Sequence, residues 1–253
     1  QGRTFPAHRI SKALMTDICT SLEESGKKNA TINRFISAVS TVLKFCKENE
    51  VITFDLPTPF KRRKERDKTV RKYYTKEQVK EMLRISKDYM FRDDLHDLIL
   101  AASLTGMRLS ELLKLPAWAV DFNLGVINVE MTKNEEARCV PIHPKLRSTL
   151  IKRCEDAPPK GYPGVKVFGN DWNNADAVRW QFGQLIHKHM DFPDDGTYVF
   201  HCLRHSFATW QLAGGCPPID LMSILGHRHL QTTMVYAKPT DDGKRNSMNK
   251  LEF

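Results

Sequence analysis

The run Lys61-Arg62-Arg63-Lys64-Glu65-Arg66-Asp67-Lys68-Thr69-Val70-Arg71-Lys72 divides this chain. Eight of its twelve residues are Lys or Arg and one is aliphatic. A segment so charged cannot enter an apolar interior, so no single core can span it. The chain must fold as two bodies joined by a basic linker over residues 61–74. A flexible cationic strap can lie along phosphates and release their counterions. A solvated tether is the plainer role for the same residues.

The shorter body, residues 1–60, reads as helical. Leu14, Met15, Ile18 and Leu22 recur at helical spacing from about Ser11 to Glu24, and Ser25-Gly26 ends that helix. A second helix runs from about Ala30 to Glu50 with Ile32, Phe35, Ile36, Val39, Val42, Leu43 and Cys46 as one stripe. Asn33 and Arg34 fall off that stripe, on a face open to a nucleic-acid backbone or simply to water. Two helices make a thin core, so a further helix is expected upstream or from the second body. The chain opens on Gln1, as a fragment lacking its natural N-terminal part would.

The longer body mixes helices with one small sheet. Thr75 reads as an N-cap, with Gln78 three residues on as in a capping box. An apolar helix covers residues 93–105, and Thr105-Gly106 stops it. Another starts near Arg108 and lasts until Pro116. Val126–Val129 and Arg138–Ile142 read as strands around a hairpin tip at residues 132–137, which carries Lys133. Helices follow from Pro144 to Cys154, over 174–190, from His201 to Ala213, from Ile219 to Leu225 and over 232–237. The fold class is therefore mainly α with a small antiparallel β-sheet (α+β).

Composition narrows the partner. Hydrophobic residues make up 41% of the 253, ample for a core, while the formal net charge is +9 and the pI about 9.2. A polyanion fits that balance, nucleic acid first and an acidic membrane surface second. The six cysteines show no C-x-x-C pair, so neither a zinc module nor a disulfide framework is signalled, and free thiols fit a reducing, cytoplasmic setting. No apolar run is long enough for a membrane span.

The chemistry gathers near the end of the chain. His201 and Arg204 stand three apart, on one helical face. His227 follows Gly226, which permits a sharp turn, and Tyr236 offers a hydroxyl within a short apolar run. Arg108 sits at a helix start, and Glu111, three residues on, can hold its guanidinium. Arginine forks match phosphate oxygens, and histidine moves protons near neutral pH. Plainer roles are open to each: ion pairing for the arginines, a half-buried core position for Tyr236. His205 and His229 read as surface or supporting groups, and no Cys or carboxylate set accompanies the histidines to make a metal site.

Taken together, Thr105-Gly106-Met107-Arg108-Leu109-Ser110-Glu111-Leu112, Lys133, His201-x-x-Arg204, Leu225-Gly226-His227 and Tyr236 resemble the tyrosine recombinases, or phage integrases. The resemblance covers residues 75–240, and residues 11–50 resemble the family's helical core-binding domain. It implies a core-type DNA-binding domain over 1–60, truncated at its N-terminus, a catalytic domain over 75–240 and a C-terminal tail over 241–253. Leu251 and Phe253 of that tail would anchor on a neighbour.

The resemblance also implies a reaction. Tyr236 attacks a DNA phosphodiester to give a 3′-phosphotyrosine and a free 5′-hydroxyl, without ATP, metal or other cofactor. Arg108 and Arg204 hold the non-bridging oxygens, Lys133 protonates the departing oxygen, His201 helps move the Tyr236 proton and His227 donates to a phosphate oxygen. Lys61, Arg62, Arg63, Lys64, Asn33 and Arg34 would contact DNA. The implied partners are double-stranded DNA carrying core recombination sites, three further copies in a homo-tetramer, and DNA-bending accessory proteins. Two other functions share the motif: type IB topoisomerase-like relaxation, and a DNA-binding regulator of the same fold without catalysis.

Overall fold

The computed structural model describes residues 9–55, 59–64, 72–88, 93–130, 137–155, 164–168 and 174–237. Lys133 and the tail anchors Leu251 and Phe253 lie outside them. The chain divides into two compact units, Gln1–Val70 and Arg71–Phe253.

The first unit is a helix pair. Helix α1 is Lys12–Glu24, and the Ser11 hydroxyl accepts the Leu14 N–H as its N-cap. Helix α2 is Asn29–Glu48. Met15, Cys19, Ile32, Ile36, Leu43 and Phe60 form the core between and beside them. The apolar stripe of α2 is wider than that core: Val42 remains 61% exposed. One facing helix covers only part of a seven-residue stripe.

Two expectations change here. Asn33 is not on a solvated face; it is 7% exposed and turned into the unit. Its amide donates to the Arg63 carbonyl at 2.9 Å and accepts the Arg63 N–H at 2.8 Å. Asn29 likewise donates to the Lys64 carbonyl, Arg62 to the Ser37 hydroxyl, and Arg63 pairs with Glu23. Residues 61–64 are thus docked along α1 and α2 rather than forming the start of a free tether. Backbone polar groups at the edge of a thin core need partners, and the asparagine side chains supply them.

The second unit is built around a helix that is apolar on most sides. Helix α3 is Lys76–Asp88, and Thr75 and Gln78 exchange reciprocal side-chain bonds at its start. Helix α4, Asp93–Thr105, buries Leu95, Leu98, Ile99, Ala101 and Ala102, as a helix at the centre of a domain must. Helix α5 is Leu109–Lys114. Strands β1 (Val120–Asp121), β2 (Val126–Val129) and β3 (Arg138–Pro141) make an antiparallel sheet in that order, with Ile127 opposite Val140 and Val129 opposite Arg138. Helices α6 (Pro144–Cys154), α7 (Ala175–His189), α8 (Cys202–Ala213), α9 (Pro218–Leu225) and α10 (Leu230–Met234) complete the unit. Helix α4 packs against α3, α5, α6, α7 and α8. Its C-terminal end, the start of α5 and the face of α8 are thereby brought together. Among the described residues no helix is long and apolar enough to cross a membrane.

Candidate active site

Arg204 is the centre of the site. It lies on α8, is 2% exposed and is among the largest fully buried side chains. Its Nη1 donates to the Gly106 carbonyl at 2.8 Å, and Nη2 donates to the Leu225 carbonyl at 2.8 Å. One side chain thus ties the end of α4 to the end of α9. Both carbonyls belong to residues beside or at left-handed glycines, Gly106 at φ +65° and Gly226 at φ +71°. At Gly106 a Cβ would stand 2.4 Å from the Phe207 ring, so the turn needs glycine for space as well as for angle.

His227 completes this corner. Arg204 Nη2 lies 3.1 Å from His227 Nε2, and His227 Nδ1 lies 2.9 Å from the Thr233 hydroxyl. Arginine only donates, so Nε2 accepts and the ring proton sits on Nδ1, directed at Thr233. Thr233, on α10, is fully buried. Nothing in its residue type signalled this role; the fold alone brings it to the histidine.

Glu111 pairs with Arg108 as expected and takes a second partner. Its Oε2 accepts the Arg108 backbone N–H at 2.8 Å, but the Arg108 guanidinium stands 3.7 Å from Oε1. Its bidentate bonds go instead to Arg138 of β3, at 3.1 and 2.8 Å. Arg138 also donates to the Ile224 carbonyl at 2.8 Å and is buried. A Cβ on Gly226 would come within 2.9 Å of Arg138, so that glycine admits the arginine beneath the turn. Arg138 was legible only as a basic residue on the return strand. Its importance comes from the sheet register, which points it inward.

Three guanidiniums, Arg108, Arg138 and Arg204, therefore surround one carboxylate. Burial alone would raise the Glu111 carboxyl, but the bonds and charge of Arg138, the Arg108 N–H and the Arg204 charge hold it below the usual range. Burial pulls the Arg204 guanidinium down to about 9, aided by the charges of Arg108 and Arg138 and opposed by Glu111 and Tyr236. Arg108 is lowered for the same first reason, burial. Three guanidiniums against one carboxylate leave positive charge in excess at a site where Arg204 and Arg138 are buried. That is an electrostatic cost which a phosphodiester would relieve.

Tyr236 follows α10 and is 7% exposed. Its ring is stacked on that of His227 at 6.4 Å, and its hydroxyl lies 3.0 Å from His205 Nδ1. His205 was expected to be a surface or supporting group, and His201 to serve the phenol. His201 is an exposed residue at the N-cap of α8, with its ring edge-on to that of His205 at 4.7 Å. One turn further along α8 than His201, position 205 faces the segment after α10. Arg108, Arg204, His227 and Tyr236, far apart in the sequence, converge. Among the described residues no group of three His, Cys, Asp or Glu is placed to hold a metal ion.

A family model described as the phage integrase family matches residues 72–242. The chain belongs to the phage integrase family, that of the tyrosine recombinases. It is 28% identical over 250 residues to the tyrosine recombinase XerC of Bacillus pumilus, covering 89% of this chain and 76% of that protein. It is 28% identical over 233 residues to the integrase of Escherichia phage P2, covering 91% and 62% respectively. Among solved structures, the Tn1549 transposon integrase in complex with a circular intermediate DNA superposes with a TM-score of 0.75 at 21% identity, covering 99% of this chain and 89% of that one. That likeness is one of fold. The phage integrase match takes in Arg108, Glu111, Arg138, His201, Arg204, His227 and Tyr236.

Proposed function

We propose that this chain is a site-specific DNA recombinase that cuts and rejoins strands through a covalent 3′-phosphotyrosine. The observation that carries the reading is the convergence of Arg204, His227 and the Tyr236 hydroxyl beside a carboxylate outnumbered by arginines. A free phenol is a poor nucleophile at neutral pH, and fixed cations around the phosphorus supply what it lacks. Arg108 and Arg204 take the non-bridging oxygens. To reach them, Arg204 Nη2 exchanges its bond to His227 for one to phosphate; the His227 ring proton shifts from Nδ1 to Nε2, the Thr233 hydroxyl turns to donate to Nδ1, and Nε2–H then donates to the phosphate. Lys133 is the proposed donor to the departing 5′-oxygen.

The wider assembly belongs to the same proposal. Membership of a family that includes site-specific recombinases, together with a net charge of +9, supports double-stranded DNA as partner. Strand exchange between two sites calls for four copies, with DNA-bending helpers where the sites must be wrapped. Lys61, Arg62, Lys64 and Arg34 are exposed and suited to phosphate contacts. Asn33 and Arg63 are engaged within their own unit and act there by holding the strap.

The test is covalent capture. The protein is incubated with a library of nicked duplexes of randomised core sequence, and DNA that stays attached in detergent is recovered and sequenced. The expected result is an adduct on a defined core, lost in Tyr236→Phe while binding persists. An adduct surviving in Tyr236→Phe would end the proposal. Joining of strands from two captured duplexes separates recombination from monomeric relaxation.

A further inference from the structure

The resemblance assigns the Tyr236 proton to His201, and the geometry offers another acceptor. Tyr236 must lose its phenolic hydrogen as it attacks, and His205 Nδ1 stands at hydrogen-bond distance from that oxygen, at 3.0 Å. We propose that His205 is a catalytic residue that accepts the Tyr236 proton. The inference rests on the recombinase reading and adds to it a base other than the motif's His201.

Three observations support the assignment. The phenol is 7% exposed, so water has little access and a protein group must take the proton. His227, the other ring beside Tyr236, is engaged on both nitrogens, by Arg204 at 3.1 Å and Thr233 at 2.9 Å. Its ring lies nearly parallel to that of Tyr236, with the centroids 6.4 Å apart. His205 is half-buried, and the exposed His201 ring stands edge-on beside it at 4.7 Å, so a proton taken by His205 has a second imidazole between it and solvent.

The step balances. The Tyr236 O–H bond breaks, its proton goes to His205 Nδ1, and the phenolic oxygen's electron pair forms the O–P bond. The bond from phosphorus to the 5′-oxygen breaks, and that oxygen receives a different proton from a general acid. In rejoining, the His205 imidazolium returns its proton to the phenolic oxygen as the O–P bond opens. A well-positioned base of this kind contributes on the order of 10²–10⁴ in rate.

The experiment is single-turnover adduct formation on the duplex recovered by covalent capture, made with either oxygen or sulfur at the 5′-bridging position. Sulfur leaves as a thiolate without needing a proton, so it rescues defects in leaving-group protonation and not defects in the nucleophile. His205→Asn keeps an acceptor oxygen near the Nδ1 position but cannot carry the proton away, and His205→Ala removes both functions. Each is expected to slow adduct formation by on the order of 10² or more on both substrates, with DNA binding retained. His205→Asn serves as the deciding variant should His205→Ala fail to bind. A wild-type rate in His205→Asn would mean the ring only positions the phenol. Recovery with sulfur would assign it to the leaving group, and a rate increase in His205→Ala would make the contact a lock. Each of these overturns the proposal. Failure of the wild type to form any adduct would instead remove the recombinase reading itself.

Discussion

The two units use their positive charge in opposite ways. In Gln1–Val70 the cations Arg34, Lys61, Arg62 and Lys64 stand in solvent, and the core beneath them is a single seam of six buried apolar side chains. In Arg71–Phe253 the cations that matter are inside: Arg204 and Arg138 are buried, bonded to carbonyls and to Glu111. An exposed lysine attracts any phosphate, weakly and in a salt-dependent manner. A buried arginine held by three acceptors can serve one phosphate at one position, and only a large core bears the cost of burying it. The difference separates general affinity for a polyanion from chemistry on a chosen bond.

The comparison breaks most readily at Arg204. Arg204→Ala should lower the adduct rate by on the order of 10²–10³, the usual loss on removing one transition-state donor. It should also destabilise the unit by roughly 1–3 kcal/mol for each carbonyl left without its donor, read as a fall in the urea midpoint. Arg204→Lys, which keeps the charge but not the fork, should recover little of the rate.

Glu111 comes next. Glu111→Gln strands Arg138 in the interior, and removal of one partner of a buried pair costs about 3–5 kcal/mol. Adding Arg138→Met should restore part of that loss in the urea midpoint. The pH dependence has a definite sign. A carboxyl held below its ordinary value of 4.5 stabilises the fold above that pH, and the contribution disappears as pH falls through the lower folded value. The acid limb of the wild-type stability curve should therefore be steeper than that of Glu111→Gln.

Gly226→Ala should cost roughly 1–3 kcal/mol in thermal or urea melts, because a Cβ there combines a left-handed backbone with a 2.9 Å approach to Arg138. Shortening Arg138 in the same chain should relieve the contact and leave the backbone strain.

The smallest effects belong to the first unit. Lys61→Ala and Arg62→Ala should each reduce the slope of log K against log salt by about 1, with no change in adduct rate at saturating protein. A rate change there would blur the division drawn between the units. Arg63→Ala, which removes a partner of Glu23, should instead show in stability, by no more than about 1 kcal/mol.

Much of the fold was legible because it is local. Helical periodicity located α1 to α9 to within a few residues. The Thr75–Gln78 box and the terminators Gly106 and Gly214 act over three or four positions, where sequence neighbours are also neighbours in space. The last helix was less well read: α10 ends at Met234, so Tyr236 stands in the turn beyond it. Val42 shows a further limit. Periodicity gives the width of an apolar stripe, not how much of it a partner covers.

By itself the sequence determined the residue types of the site, their order and the family they belong to, since a motif is written in the chain whether or not it is folded. Only the tertiary structure decided who touches whom. It gave Glu111 to Arg138, Asn33 to the Arg63 backbone, Thr233 to His227 and the Tyr236 phenol to His205. Each of those pairings joins residues that helix turns, strand register and a left-handed glycine bring within about 3 Å, and none of these distances can be read from spacing along the chain.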